Sequence, residues 1–435
     1  MTGERILVVG AGFAGLYAAL GMKQLAAAGH RIIVVNPESF MQYQPFLPEV
    51  ASGTIDPRAV VVPLRSVLRH CEIVIGEVVR VDHAAHVATV RLPDARERAQ
   101  PYDIVVLAAG SRSRVLPIPG LAERGVGFKT VREAIYLRNR VLSRLDVAAE
   151  TDDPERRQAA LTFVFVGGGY AGVEALGELE DLARDAIASY PTLRASEMRW
   201  VLVEATGKIL PELGDDLARY ALDRLLERGI DVLLSTRLES ADNGVIRLSD
   251  GQSFRADTLV WTAGVKPSPL AAASGFPVDA DGRVRVRDDL RVDGLDDAWA
   301  AGDAAAVPDR SSGGIMPPTA QHGMRQGRHV AANISAVLEG GRPLPFAHRN
   351  LGGVCSLGRY KGVANVMGVK FRGFPGWFLH RSYHLLAMPT LTRKVKIAMD
   401  WTVALLFPRD LAQLGSLERP LEPFERAADR SRPGS

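Results

Sequence analysis

Two copies of one glycine pattern, each directly after a run of β-type apolar residues, constrain this chain more than any other feature. The first is Gly10-Ala11-Gly12-Phe13-Ala14-Gly15 and the second Gly167-Gly168-Gly169-Tyr170-Ala171-Gly172. Arg5-Ile6-Leu7-Val8-Val9 precedes the first, and Leu161-Thr162-Phe163-Val164-Phe165-Val166 the second. Ala- and Leu-rich runs follow, predicting helices over Leu16 to Ala28 and over Val173 to Ala188. In a strand, turn and helix of this kind the first glycine permits the tight backbone, the second admits a pyrophosphate and the third lets helix and strand pack closely. The helix N-terminus then turns its partial positive charge on the phosphates. Two such sites imply electron transfer between two bound dinucleotides.

The repeat extends beyond the glycines. Asp103-Ile104-Val105-Val106-Leu107 leads to Ala108-Ala109-Gly110, and Asp257-Thr258-Leu259-Val260-Trp261 leads to Thr262-Ala263-Gly264. A repeat of this length points to duplication of a whole nucleotide-binding domain rather than a solenoid. The expected fold is α/β, with two Rossmann-like dinucleotide-binding domains and Ala109, Gly110, Ala263 and Gly264 at the ligand-facing turns.

A length of 435 residues is ample for two domains and a smaller appendage. The net charge is only +3 and no basic-aromatic module is visible, so no nucleic-acid partner is expected. Cys71 and Cys355 are far apart and form no CxxC or ligand cluster, which predicts a reduced, cytoplasmic protein without structural metal. The first strand starts almost at once, so no signal peptide is expected.

The polar residue closing the second strand of each unit normally meets the adenosine ribose. Trp200-Val201-Leu202-Val203 ends in Glu204, whose carboxylate accepts from a 2′-hydroxyl and repels a 2′-phosphate, favouring NADH over NADPH. Arg31-Ile32-Ile33-Val34-Val35 ends instead in Asn36, which can still hydrogen-bond ribose. Asp296-Asp297-Ala298-Trp299-Ala300-Ala301-Gly302-Asp303-Ala304 delivers Gly302 and Asp303 into a turn. This stretch resembles the second FAD motif of flavoproteins with two dinucleotide-binding domains, and the resemblance gives Asp303 the ribityl chain. Phe40 to Glu49 holds Pro45 and Pro48, which forbid a long helix and suggest a rigid loop that walls the flavin or packs the domains.

The expected organisation is an FAD-binding segment over 1–119, an NADH-binding domain over 120–264, a second FAD-binding segment over 265–345, and a C-terminal region over 346–435. Small antiparallel insertions are expected around Asp82 to Arg91 and Asn243 to Leu248.

Met316-Pro317-Pro318-Thr319-Ala320-Gln321-His322-Gly323-Met324-Arg325-Gln326-Gly327 opens a further helix. It resembles the flavin and quinone segment of type II NADH:quinone oxidoreductases, a proline followed by Ala-Gln and a second Gln four positions on. Ala320 and Gln321 match that pattern; Arg325 stands where the second Gln is expected, with Gln326 one residue late. Gly172-Val173-Glu174 is similar to the family's Gly-Val-Glu segment, and the resemblance places Glu174 near flavin and nicotinamide, although a first-turn acid also suits the helix dipole. Phe374-Pro375-Gly376-Trp377-Phe378-Leu379-His380 resembles the family's segment at the mouth of the lipophilic acceptor site. There His380 or Arg381 is expected to partner a redox-linked proton or a membrane phosphate. Gln321, Arg325 and His380 are thus the quinone-site candidates.

From Leu351 on, basic residues outnumber acids and alternate with Phe, Trp and Leu. On a helix from Arg393 to Phe407, Val395, Ala398, Met399, Thr402 and Leu406 fall on one side, with Arg393, Lys396 and Asp400 opposite. No run of apolar residues is long enough to cross a membrane. An amphipathic region lying on the anionic cytoplasmic face of the cell membrane, or serving a homodimer, is expected. The resemblance implies bound FAD, NADH as substrate and two-electron, non-pumping reduction of a membrane quinone. A sulfide:quinone oxidoreductase, a reductase of a soluble acceptor and an NADH-sensing flavoprotein with little turnover are the alternatives.

Overall fold

The computed structural model describes residues 3–310, 313–348 and 351–413; the part of the C-terminal region beyond them lies outside the described residues. Two five-stranded parallel sheets form its frame. The first runs Ala298–Ala300, Ile104–Leu107, Arg5–Val9, Arg31–Asn36, Glu72–Ile75, and the second Gly125–Val126, Thr258–Trp261, Thr162–Val166, Arg199–Val203, Asp231–Leu233. Both orders place the fingerprint strand in the centre, with Val8 opposite Val34 and Val106, and Val164 opposite Val201 and Leu259. Strands covered on both faces must be apolar throughout, which is why Ile6 to Val9 and Thr162 to Val166 are buried without alternation.

The first sheet takes its outer strand, Ala298–Ala300, from beyond the second unit, whereas the outer strand of the second sheet, Gly125–Val126, opens its own stretch of sequence. The two crossings between the sheets run side by side: Ser111–Ser113 pairs antiparallel with Val265–Pro267. Antiparallel three-stranded sheets form at Glu77–Asp82, Val87–Arg91 and Glu97–Pro101, and at Leu238–Ser240, Val245–Leu248 and Ser253–Arg255, at the two expected insertions.

Three local expectations are corrected. The first long helix is two, Phe13–Gly21 and Lys23–Ala27, broken at Met22. The supposed loop at Phe40 to Glu49 contains a short strand, Phe40–Gln42, a single turn, Gln44–Phe46, and a short helix, Leu47–Ala51. The two prolines sit at the starts of these turns, where a missing N–H costs nothing. The second fingerprint helix starts at Tyr170, three residues earlier than expected.

The helix Ala320–Leu338 crosses the first fingerprint helix almost backbone to backbone. A Cβ on Gly327 would stand 2.1 Å from the Ala14 carbonyl oxygen, and one on Gly21 2.6 Å from the Ala331 methyl. Thr319 caps that helix by accepting from His322 N, with Pro317 and Pro318 ending the chain's approach. The C-terminal region builds a three-stranded sheet, Gly352–Ser356, Gly362–Val366 and Val369–Arg372, then helices Phe374–Ala387 and Leu391–Leu406. It is seated on the second fingerprint helix, where a Cβ on Gly177 would meet Leu357 backbone at 2.8 Å.

Candidate functional site

The first fingerprint opens onto a cavity of about 640 Å³ beyond the carboxyl ends of the first sheet. Gly10 has φ +91°, and a Cβ on Gly15 would lie 1.9 Å from the Gly10 carbonyl oxygen. A Cβ on Gly12 would meet nothing within 4 Å, because Gly12 faces the cavity. The outer two glycines are therefore demanded by the protein's own packing and the middle one by the space the cavity keeps open. The helix Phe13–Gly21 has no side-chain cap, leaving its first N–H groups directed at that space. Phe13, Ala14, Asn36, Ala109, Gly110, Gly302, Asp303 and Ala320 line it as well.

Asn36 does part of its work inside the protein. Its Oδ1 accepts from Ala11 N at 2.8 Å and its Nδ2 donates to the Glu38 carbonyl at 2.7 Å. The adjoining carboxylate is that of Glu38, on the cavity wall and paired with Arg132 at 2.8 Å. At the far end Ser111 Oγ donates to Asp303 Oδ2 at 2.5 Å and receives Lys129 Nζ at 2.7 Å. Burial pulls the Lys129 amine below its ordinary value, against the charges of Asp303 and Glu133. A long cavity with uncapped N–H donors at one turn and a carboxylate at another fits an extended dinucleotide such as FAD.

The second fingerprint repeats the construction. Gly167 has φ +115°, a Cβ on Gly172 would lie 1.9 Å from the Gly167 carbonyl oxygen, and one on Gly169 would meet nothing within 4 Å. Glu204 stands where Asn36 stands, accepting from Gly168 N at 2.6 Å and from Thr206 N at 2.7 Å. Thr262 Oγ1, donating toward Val166 and Gly167 carbonyls, ties the turn carrying Ala263 and Gly264 to the fingerprint. Tyr170 and Ala171 open the helix that follows.

Glu174, in the first turns of that helix, reaches the C-terminal region. Its Oε1 is 3.0 Å from His380 Nε2 and accepts from Ser356 N at 3.0 Å. Burial works against charge on His380, but Glu174, by charge and hydrogen bonding, and Glu49 outweigh it and hold the imidazole above its usual value. Arg381, its neighbour, pairs with Glu49 at 3.0 Å and lies between the Trp377 and Trp401 rings. His380 and Arg381 are 1% and 8% exposed, which overturns the expected alternative of a membrane-phosphate contact at either. Cys355 is wholly buried beside Glu174, and burial pushes its thiol well above the ordinary value.

Gln321 donates to Tyr383 Oη at 3.2 Å and accepts from Arg325 at 3.4 Å, so Arg325 shares its helix face and also touches His348. Burial, then Arg325, push the His348 imidazole down to about 4. Gln326 is turned away: its Oε1 accepts from Gly302 N at 2.7 Å and holds the turn before Asp303. The glutamine that is one residue late thus supports the turn that carries Asp303 to the cavity wall, and the position of the family's second glutamine presents a guanidinium.

The pyridine nucleotide-disulphide oxidoreductase family model matches residues 4–327. A type II NADH:quinone oxidoreductase of Mycobacterium tuberculosis is 32% identical over 421 residues, spanning 93% of this chain and 89% of the relative. This chain belongs to the type II NADH:quinone oxidoreductases. One from Staphylococcus epidermidis is 30% identical over 384 residues, 87% of this chain and 93% of the relative. Among solved structures, NDH2 from Plasmodium falciparum in complex with NADH superposes with a TM-score of 0.88 at 15% identity, over 94% of this chain and 99% of that one. The sulfide:quinone oxidoreductase of Aquifex aeolicus superposes at 0.71 and 16% identity, over 94% and 96%. At those identities the two structures speak for the fold.

As a type II NADH:quinone oxidoreductase the chain is an FAD-dependent enzyme, and its first fingerprint, Asn36, Asp303 and Ala320 fall around one cavity. Pro45 does not line the first cavity; its neighbour Gln44 does. Gly15 sits behind the turn, and Gln321 lies one helix position beyond the lining residue Ala320. Sequence reasoning missed Glu38, Ser111, Lys129, Tyr43, Glu49, Tyr383 and His384. Of these, Tyr43 and Glu49 lay within the Phe40 to Glu49 stretch expected to wall the flavin or pack the domains but were given no role of their own, and Glu38 had a local signal, two residues after Asn36. Tyr43 and His384 meet at 3.1 Å across 341 residues of chain, and burial beside His380 holds the His384 imidazole well below its ordinary value.

Proposed function

We infer that the chain oxidises NADH and passes two electrons to a quinone by way of bound FAD, without pumping protons. The observation that carries this is the pair of fingerprints with the same glycine geometry, one opening on a long cavity that carries Asp303 and the other closed by Glu204. FAD, when bound, supplies the hydride and electron-transfer chemistry; the protein supplies orientation, electrostatics and exclusion of water. Gly12 and the uncapped helix behind it receive the pyrophosphate, Asn36 and Glu38 the adenosine ribose, and Asp303 the ribityl hydroxyls. Gly169 and Glu204 do the same for NADH. Gln321, Arg325 and His380 frame the quinone, with Ala320 against the flavin and Glu174 between flavin and His380.

The segments are 1–119 and 265–345 for FAD, 120–264 for NADH and 346–435 for membrane association or dimerisation. Supporting the membrane role, Leu391, Val395, Met399, Val403 and Leu406 form an exposed apolar row at helical spacing. No helix among the described residues is long and apolar enough to cross a membrane. Arg359, Lys370, Arg381 and Arg409 bind partners within the chain, so apolar burial carries more of the attraction than the basic composition suggests. The placement is peripheral, on the anionic cytoplasmic face of the membrane, with a homodimer through the same region as the second use of that row.

The test is NADH oxidation by the purified flavoprotein with and without a soluble quinone analogue. Turnover that depends on quinone supports this function. Flavin bleached by NADH and left reduced by quinone contradicts it, and bleaching by sulfide, lost in Cys355→Ala, would favour the sulfide enzyme.

A further inference from the structure

Behind the Glu174–His380 contact lie two buried carboxylates, Glu178 and Glu49, that the hydride and quinone sites do not use. Glu178, one turn after Glu174, is 1% exposed; its Oε1 accepts from Ser356 Oγ at 3.2 Å and its Oε2 has no partner. Glu49, 2% exposed, accepts from Trp401 Nε1 at 2.6 Å and pairs with Arg381. Of three buried carboxylates, Glu174 is paired with His380 and Glu49 with Arg381, while Glu178, near enough to Glu49 to raise it, has no ion pair among the described residues. Ionising all five would leave one net negative charge out of water, with a carboxylate oxygen that accepts nothing. Sharing one proton among the carboxylates removes that cost.

Quinone reduction creates a demand for such a proton. Forming a hydroquinone consumes two electrons and two protons, and the hydride of NADH carries two electrons and one proton; the second proton comes from solvent. We propose that Glu178 and Glu49 form a buried proton store that resupplies Glu174 and His380 with this second proton. The proposal rests on the quinone-reducing function above. The proton leaves a store carboxyl for the Glu174–His380 pair and passes through the neutral His384 to Tyr43 and Tyr383. The His380 and His384 rings are 4.7 Å apart, His384 Nδ1 is 3.1 Å from Tyr43 Oη, and Tyr383 holds Gln321. Glu49 is the member nearest solvent for the proton's return, since its partners Arg381 and Trp401 line a small cleft with Arg359, Tyr360 and Arg409.

The groups facing the store come from four directions. The second fingerprint helix gives Glu174 and Asp181, the latter pushed up to about 6 by burial against the opposing charge of Arg228. The strand Gly352–Ser356 gives Cys355 and Ser356, the C-terminal helices give His380, Arg381, His384 and Trp401, and Glu49 itself stands on the short helix Leu47–Ala51. Burial, the largest influence, raises the Glu49 carboxyl, and Glu178 adds to it against Arg381.

The experiment uses the FAD-loaded full chain with Glu178→Gln and, independently, Glu49→Gln, each keeping shape while losing the exchangeable proton. Flavin reduction by NADH and its reoxidation by a soluble quinone are timed separately. The ratio of reoxidation to reduction is expected to fall about a hundredfold in either variant, the lower end of what general acid-base groups contribute. A merely structural defect would slow both steps together and lower the melting temperature. As a readout independent of turnover, the infrared spectrum of the oxidised parent at neutral pH should contain a deuterium-sensitive band of a buried protonated carboxyl, weakened in each variant. A ratio changed by less than about tenfold in a folded variant, or no such band in the parent, overturns the store. Failure of quinone to reoxidise the parent overturns the function itself, and the band then judges the store alone.

Discussion

At the scale of single residues, the two kinds of glycine in each fingerprint make opposite predictions. Gly12→Val should fold with the melting temperature of the flavin-stripped parent and purify without flavin, because its side chain enters the open cavity and meets no protein atom. Gly15→Ala forces a methyl to within 1.9 Å of a backbone oxygen that cannot move without opening the turn, and should cost about 3 kcal/mol or more in unfolding free energy. Flavin absorbance per chain, measured beside a denaturation curve, distinguishes the two. His380 makes a pH prediction of definite sign. A histidine whose folded value is raised stabilises fully below its unfolded value of about 6.5 and loses that contribution as pH rises through the folded value. Stability should therefore decline on the alkaline side of neutrality, and His380→Ala should remove that slope while costing about 3–5 kcal/mol at mildly acidic pH for an unpaired buried Glu174. A pH series of melting curves for parent and variant checks both statements.

At the scale of elements, the strands, glycine turns and helices of both nucleotide units were legible because their signals are local. A buried parallel strand is apolar at every position, and a fingerprint turn needs glycine at fixed spacing. Asp303 and Glu204 were legible for the same reason, each ending a recognisable strand or turn. Lys129, Ser111 and Glu49 were not, since a lysine, a serine and a glutamate carry no pattern until the chain crossing at Ser111–Ser113 and the packing of the C-terminal helices bring them to the site. The Leu391–Leu406 helix shows both sides of this. Its spacing announced an apolar face, yet Asp400, assigned from sequence to the polar face, hydrogen-bonds Asp56 N at 3.0 Å, and Ile397 and Trp401 pack toward the body. The exposed row should be what meets lipid. Val395→Asp with Met399→Asp is expected to abolish flotation with anionic vesicles while flavin content stays normal. Undiminished flotation would move the row to a protein interface.

At the scale of the whole molecule, duplication explains why one chain can hold a permanent cofactor and an exchanging substrate. The two sheets share turn geometry, but only the first gains Ser111 and Asp303 from segments on either side of the second unit, with Lys129 reaching in from the second unit itself. The C-terminal helices then bind Glu174 of the second unit and Glu49 of the first, so both nucleotide units are fastened to the C-terminal region. The central claim is that electrons move from NADH through bound flavin to quinone within this single chain. An anaerobic single-turnover experiment tests it most directly: the purified protein is mixed with one equivalent of NADH, followed at the flavin absorbance, and then mixed with a soluble quinone. Full bleaching by NADH and full recovery on quinone addition, with one hydroquinone formed per NADH consumed, is the predicted result; bleaching without recovery, or recovery without hydroquinone, would contradict it.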